Sequence, residues 1–248
     1  TRIERIIEVR VLGGSNEELI KVIISTIDPS SVEHVIEEIG VSGHLPARRK
    51  VKIVMDWLML NTMYMLDYYI PVPVGSDIFW EDNYITLPNE TLARGGGDCE
   101  DLALLAYTLL QSVFGEERVW IIGWRDEYTA HWGVLLESGG EWCIVDPAGG
   151  YVTGVESISL RLRVVDSRGR EYIIRISPMD VDPMLKNWLI SKNFAQLEYM
   201  GRIEFRSLES AVRMWLRYWN GGWIYVVANK EKAVFFDSTE EFLEFMES

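Results

Sequence analysis

The sequence predicts an α+β fold: a buried helix carrying a cysteine packs on an antiparallel sheet, with small α/β additions at both ends. Three observations carry this prediction. The segment after Gly95–Gly97 is apolar on nearly every side, through Leu102, Leu104, Leu105, Leu109, Leu110 and Val113, which makes it a helix with no solvent face. Short apolar runs separated by glycine turns follow it and read as consecutive strands. Helical patterns dominate before and after that block rather than alternating with it. A chain of 248 residues suffices for one large domain or two small ones, and 48% hydrophobic with 25% charged residues is the balance of a chain with a real core.

The elements follow in order. Ile7, Val9 and Val11 alternate with Glu8 and Arg10, so Ile7–Leu12 reads as a half-buried strand ended by Gly13-Gly14. Ser15 with Glu18 is a capping box for a helix to about Ile27, and a second short helix spans Ser31–Ile39. Pro46 opens a helix whose apolar positions, from Val51 through Met65, carry it to about Tyr69. Residues 70–88 hold Pro71, Pro73, Gly75 and Pro88 and read as a long aromatic loop. The buried helix then runs from the Asp98–Cys99 step to Gly115. Strands follow at Arg118–Trp124, Ala130–Leu136, Glu141–Val145 and Ile158–Val165, with a hairpin through Asp166–Arg170 into Glu171–Ile176. Helices are expected after Pro183 and at Leu208–Trp219, strands at Trp223–Val227 and Ala233–Phe236, and a last helix at Ser238 with Glu241 in the capping-box position. This order divides the chain into an N-terminal unit (1–45), a core (46–155) and a C-terminal α+β extension packed on it (156–248).

The net charge of −14 argues against nucleic acid as a partner, because phosphate binding needs a basic stripe. No span is apolar and long enough to insert in a membrane: Val54–Leu66 is broken by Asp56 and Asn61. The N-terminal residues lack the apolar core of a signal peptide, so a cytoplasmic location is expected, with a secreted form whose leader has been removed as the alternative. Two cysteines make neither a disulfide scaffold nor a four-cysteine zinc site. The two glutamines, Gln111 and Gln196, suit a heat-adapted protein.

The chemistry centres on Cys99. With Asp98 as N-cap, Cys99 falls in the first helical turn, where unpaired N–H groups and the helix dipole lower a thiol pKa. A buried structural thiol is the alternative. A nucleophile needs a base, and of the three histidines only His131 lies in an apolar strand. The following hairpin turns near Ser138-Gly139-Gly140. With Ser138-Gly139 as its loop, Asp146 stands directly opposite His131, on the same face, able to orient the imidazole. By the same alternation Cys143 points to the other face and is a packing residue.

Cys99, His131 and Asp146, in that order, resemble the Cys-His-Asp core of the transglutaminase-like superfamily. Trp142, four residues before Asp146 in EWCIVDPAGG, resembles the family's tryptophan-then-Asp-Pro ending. LPNETLARGGGDCEDLALLAY, Leu87–Tyr107, resembles the bacterial transglutaminase-like cysteine proteinases. The resemblance spans about Val51–Gly150. It implies a papain-like fold and thiol-dependent acyl transfer on a protein or peptide substrate. Cys99 would be the nucleophile, His131 the base and Asp146 its orienter. Hydrolysis of a peptide or isopeptide amide is the leading expectation. Transglutaminase activity and a non-catalytic binding module are the alternatives. The N–H of Cys99 and the indole of Trp80 are candidate oxyanion donors, although the spacing of Trp80 departs from that of animal transglutaminases. In some relatives acidic residues around the nucleophile bind calcium, and Asp98 and Glu100 match those positions. The alternative is that Asp98 caps the helix and Glu100 and Asp101 answer its dipole with no metal. Arylamine acetyltransferases fit less well, because Arg94 lies one residue too far from Cys99; peptide N-glycanases carry paired cysteine motifs that this chain lacks.

Overall fold

The computed structural model describes residues 16–41, 44–67, 70–74, 77–81 and 85–248. The expected strand Ile7–Leu12 lies outside them. The described residues form an α+β fold around a six-stranded antiparallel sheet. Its strands are β5 (Val119–Arg125), β6 (Ala130–Ser138), β7 (Glu141–Asp146), β8 (Tyr151–Val152), β12 (Trp223–Ala228) and β13 (Ala233–Phe235), ordered β13-β12-β5-β6-β7-β8. The C-terminal strands therefore extend the central sheet. No helix of the described residues is long and apolar enough to cross a membrane.

Two helical layers cover this sheet. On one face lies α5 (Cys99–Phe114), preceded in the chain by α1 (Asn16–Ser25), α2 (Glu33–Ile39), α3 (Ala47–Asn61) and α4 (Pro88–Arg94). Leu102, Leu104, Leu105, Leu109 and Leu110 are fully buried, each worth ~1.5–3 kcal/mol of transfer free energy. They meet Trp132, Val134, Leu136, Cys143 and Val145 of the sheet. The opposite face packs on α7 (Leu208–Trp219) and α8 (Thr239–Glu247) through Ile122, Trp124, Leu135 and Ile144. Two-residue alternation sorts neighbouring residues of β6 and β7 onto the two faces, and Cys143 faces α5 as its position implies.

A separate three-stranded sheet, β9 (Val155–Val165), β10 (Glu171–Ile176) and β11 (Ala195–Gly201), carries α6 (Pro183–Ser191). Lys186 of α6 pins this layer to the core. Its buried Nζ donates to the carbonyls of Met59 (2.7 Å), Thr62 (2.5 Å) and Pro178 (2.9 Å). Burial lowers its pKa to about 8.

Two expectations are corrected. The helix opened by Pro46 ends at Asn61, not near Tyr69. Thr62 turns extended and bonds Leu58 through both N–H and Oγ1, and Lys186 meets the orphan carbonyls of the last turn. Met63–Tyr64 (β1) is thereby freed to pair in parallel with Gly96–Gly97 (β4). The stretch read as a loop contains a hairpin, β2 (Ile70–Val74) with β3 (Asp77–Glu81). Pro71 and Pro73 are two apart, so their missing N–H groups face the same outer edge and the hairpin ladder keeps its donors. Helix α4, with Pro88 at its first position, also escaped the sequence reading. Glu90 accepts from the Leu87 N–H (2.7 Å) and closes its start.

Candidate active site

The glycine run before Cys99 is explained by close packing. Gly95 is the left-handed cap of α4 (φ 75°). A Cβ on Gly96 would lie 2.1 Å from the Met63 carbonyl, and one on Gly97 would lie 2.4 Å from Asp101. The run thus lets β1 and the first turn of α5 close on the backbone around the cysteine.

Cys99 is half-buried and its Sγ donates to Glu100 Oε2 at 3.0 Å. Burial pushes the thiol pKa far up, and the charges of Glu100 and Asp98 push further; the Trp132 N–H opposes them. The expected depression by the helix N-terminus is overruled, because burial first, and then the nearby carboxylates, outweigh the partial charge of a dipole. Asp98 occupies the N-cap position without making a side-chain cap bond.

Asp146 lies at the end of β7 and is completely buried. Its Oδ2 is hydrogen-bonded with His131 Nε2 (2.9 Å) and accepts from Trp215 Nε1 (2.9 Å) and Trp219 Nε1 (2.7 Å), and its Oδ1 accepts from the Gly149 N–H (3.0 Å). Burial alone would raise its pKa; the His131 charge and these bonds prevail and hold it below the usual carboxylate range. The hairpin loop is Gly139-Gly140, both at positive φ, so Ser138 pairs with Glu141 and Val134 with Val145. The expected register is therefore corrected: Asp146 falls opposite Gly133, two residues along β6 from His131. The shift is an even number of residues, so both side chains keep the same face.

That face is the α7 face. The His131 ring lies 4.2 Å from Trp219, 5.9 Å from Trp124 and 6.2 Å from Trp215. Cys99 belongs to the helix on the other face and makes no hydrogen bond to His131 among the described residues. What links them is the main chain: the Trp132 N–H that favours the thiolate belongs to the residue after His131. Trp80 lies on β3, but its side chain lies outside the described residues.

The acidic residues around Cys99 form a cluster. Asp67, Asp98 and Asp101 bring ligand oxygens within 4.8 Å of one another. Asp98 Oδ1 and Asp101 Oδ2 are buried without a hydrogen-bond partner, the latter 3.6 Å from the Arg94 guanidinium. Burial, then Glu100, Asp101 and Asp67, push Asp98 up to about 9, and burial raises Asp101 to about 6. Hard oxygen donors, with one unbonded oxygen each on Asp98 and Asp101 among the described residues and the ionisation of both suppressed, fit a calcium-type cation. Of the two residues singled out from the sequence, Asp98 belongs to this cluster, whereas Glu100 faces the thiol. Asp67 and Asp101 were not foreseen as ligands.

No family model matches the chain, and no curated protein matches it. Among solved structures it is similar to LapG of Legionella pneumophila, at 14% identity and a TM-score of 0.39, over 93% of this chain and 97% of that one. Calcium-bound LapG of the same organism is 16% identical at 0.34, over 70% and 81%. A proposed cysteine protease from Cytophaga hutchinsonii is 16% identical at 0.33, over 75% and 55%. These likenesses are distant, and the functional reading rests on the site itself.

Proposed function

We propose that the protein is a thiol-dependent acyl-transfer enzyme, a cysteine peptidase or amidohydrolase in which Cys99, His131 and Asp146 act together. The observation that carries this reading is the pairing of His131, at the start of β6, with a fully buried Asp146 at the end of β7. Buried carboxylates are costly, and one that orients a histidine fits a catalytic group.

The chemistry follows from the groups present. The Cys99 sulfur adds to an amide carbon, His131 takes the thiol proton and returns it to the leaving amine, and water then releases the acyl group. Asp146 holds the imidazole throughout. The state described is a resting one: the thiol proton sits on the Glu100 bond, and the cluster charge opposes a thiolate. Asp67, Asp98 and Asp101 would hold a divalent cation, which supplies positive charge offsetting these carboxylates. Release of Glu100 from the sulfur and approach of the thiol to the imidazole complete the site.

The test is turnover of peptide substrates from a mixed peptide library, read by mass spectrometry, with and without calcium. Cleavage that disappears in Cys99→Ala and in His131→Ala supports hydrolysis. Incorporation of an added primary amine into glutamine side chains would instead make it a transglutaminase. One observation favours a second reading, a non-catalytic binding module: Cys99 and His131 share no bond. Absence of cleavage under every calcium condition, with the fold intact, would select it.

A further inference from the structure

Two tryptophans of α7, outside the segment that carries the sequence motifs, converge on one carboxylate oxygen. Trp215 is fully buried and Trp219 half-buried, four residues apart and so on one helix face. Both indole N–H groups point at Asp146 Oδ2, which already serves His131. The backbone is cut to admit them. A Cβ on Gly133, which stands opposite Asp146, would lie 3.0 Å from the Trp215 ring, and one on Gly149 would lie 2.5 Å from the Trp219 ring. Tyr218 adds a bond from its hydroxyl to the Gly149 carbonyl at 2.7 Å, docking the end of α7 on the turn after Asp146.

We propose that Trp215 and Trp219 are positioning residues that hold Asp146 as a carboxylate and thereby fix His131 as the Nε2–H tautomer, leaving Nδ1 as its basic nitrogen. An indole nitrogen only donates, and a carboxylate only accepts. With three N–H groups converging on Oδ2 and the Gly149 N–H on Oδ1, every hydrogen-bond partner of Asp146 is a donor, so a proton placed on it would find no acceptor among them. An ionised Asp146 in turn requires Nε2 to carry hydrogen, so the lone pair lies on Nδ1. Two tryptophans of α7 thus set the basicity of a histidine that precedes them by more than 80 residues. The consequence for catalysis rests on the reading of His131 as the base; the tautomer itself does not.

The experiment is nitrogen-15 NMR of the imidazole in the full chain across pH, on the wild type, Trp219→Phe, Gly149→Ala and Trp142→Phe. Trp219→Phe keeps an aromatic ring and removes the N–H. Gly149→Ala displaces the Trp219 ring while leaving its N–H in the chain. Trp142 stacks on Trp120 and makes no bond to Asp146, so its variant is the control. Expected for neutral His131 in the wild type is a protonated Nε2 and an unprotonated Nδ1, with Nδ1 gaining its proton on acidification at about tenfold lower proton concentration in the first two variants and at an unchanged one in the control. An Nδ1–H tautomer in the wild type overturns the proposal, as do superimposable profiles for all four proteins with unchanged near-ultraviolet circular dichroism. Should the tautomer be found while no peptide is cleaved, the positioning role stands and the proposed function fails.

Discussion

Replacing Asp146 with Asn should be the most damaging single conservative change in the sheet. The buried carboxylate accepts four hydrogen bonds, three on Oδ2 and one on Oδ1. Asparagine has one acceptor oxygen and one NH₂. With its oxygen in the Oδ2 place, the NH₂ faces the Gly149 N–H; reversed, it faces three donors. Each bond kept falls from the ~1.5–3 kcal/mol of a charged acceptor to about 1, and one donor is left facing a donor. The sum is a loss of about 3–5 kcal/mol, a large share of a typical total of ~5–15. Urea unfolding at pH 7 measures it. The pH dependence gives a second check. Asp146 is held below its ordinary range, so its contribution is complete above the unfolded value of about 3.9 and is lost as pH falls through the folded value. Wild type and variant should therefore converge on acidification. A deficit under about 1 kcal/mol at pH 7, or one that persists unchanged into acid, would refute the reasoning.

Further outcomes follow from the same geometry. Glu100→Gln removes the second-largest influence raising the Cys99 thiol, so its alkylation without calcium should speed up severalfold at pH 8; an unchanged rate would count against the Glu100 restraint. Asp98 is raised to about 9, so the folded state holds its proton between the ordinary aspartate range and pH 9 while the unfolded chain does not. Stability without calcium should fall as pH rises through that window, and Asp98→Asn should flatten the fall in thermal melts recorded at several pH values. Calcium affinity, measured by titration calorimetry in buffers of different ionisation heat, should rise with pH over the same window with proton release. Lys186→Met strands three buried carbonyls and should cost about 3 kcal/mol or more in urea unfolding, with little change in the alkylation of Cys99.

Patterned elements were legible and long-range aims were not. The helix from Cys99 and the strands around His131 and Asp146 announce themselves by periodicity, and Leu208–Trp219 is found at the bounds read from the sequence. The hairpin register was missed although the sequence holds the signal: a type I′ loop needs positive φ twice, which Gly139-Gly140 satisfies and Ser138-Gly139 does not. The prolines of β2 suggested a loop because their same-edge spacing matters only once a partner strand is known. Trp215 is buried in the core, but no local pattern tells where an indole N–H will point. The thiol pKa departs from the expectation because burial, which no local pattern fixes, raises it most, with Glu100 and Asp98 adding to it; Asp67 joins the acidic cluster from the segment after β1, a juxtaposition the sequence does not show.

Alkylation of Cys99 by iodoacetamide across pH, read by mass spectrometry beside buried Cys143, tests the central claim most directly. The account predicts slow labelling without calcium, rapid labelling near neutral pH with it, and loss of that acceleration in His131→Ala. Labelling of Cys99 at the rate of an ordinary thiol, indifferent both to calcium and to His131, would contradict it.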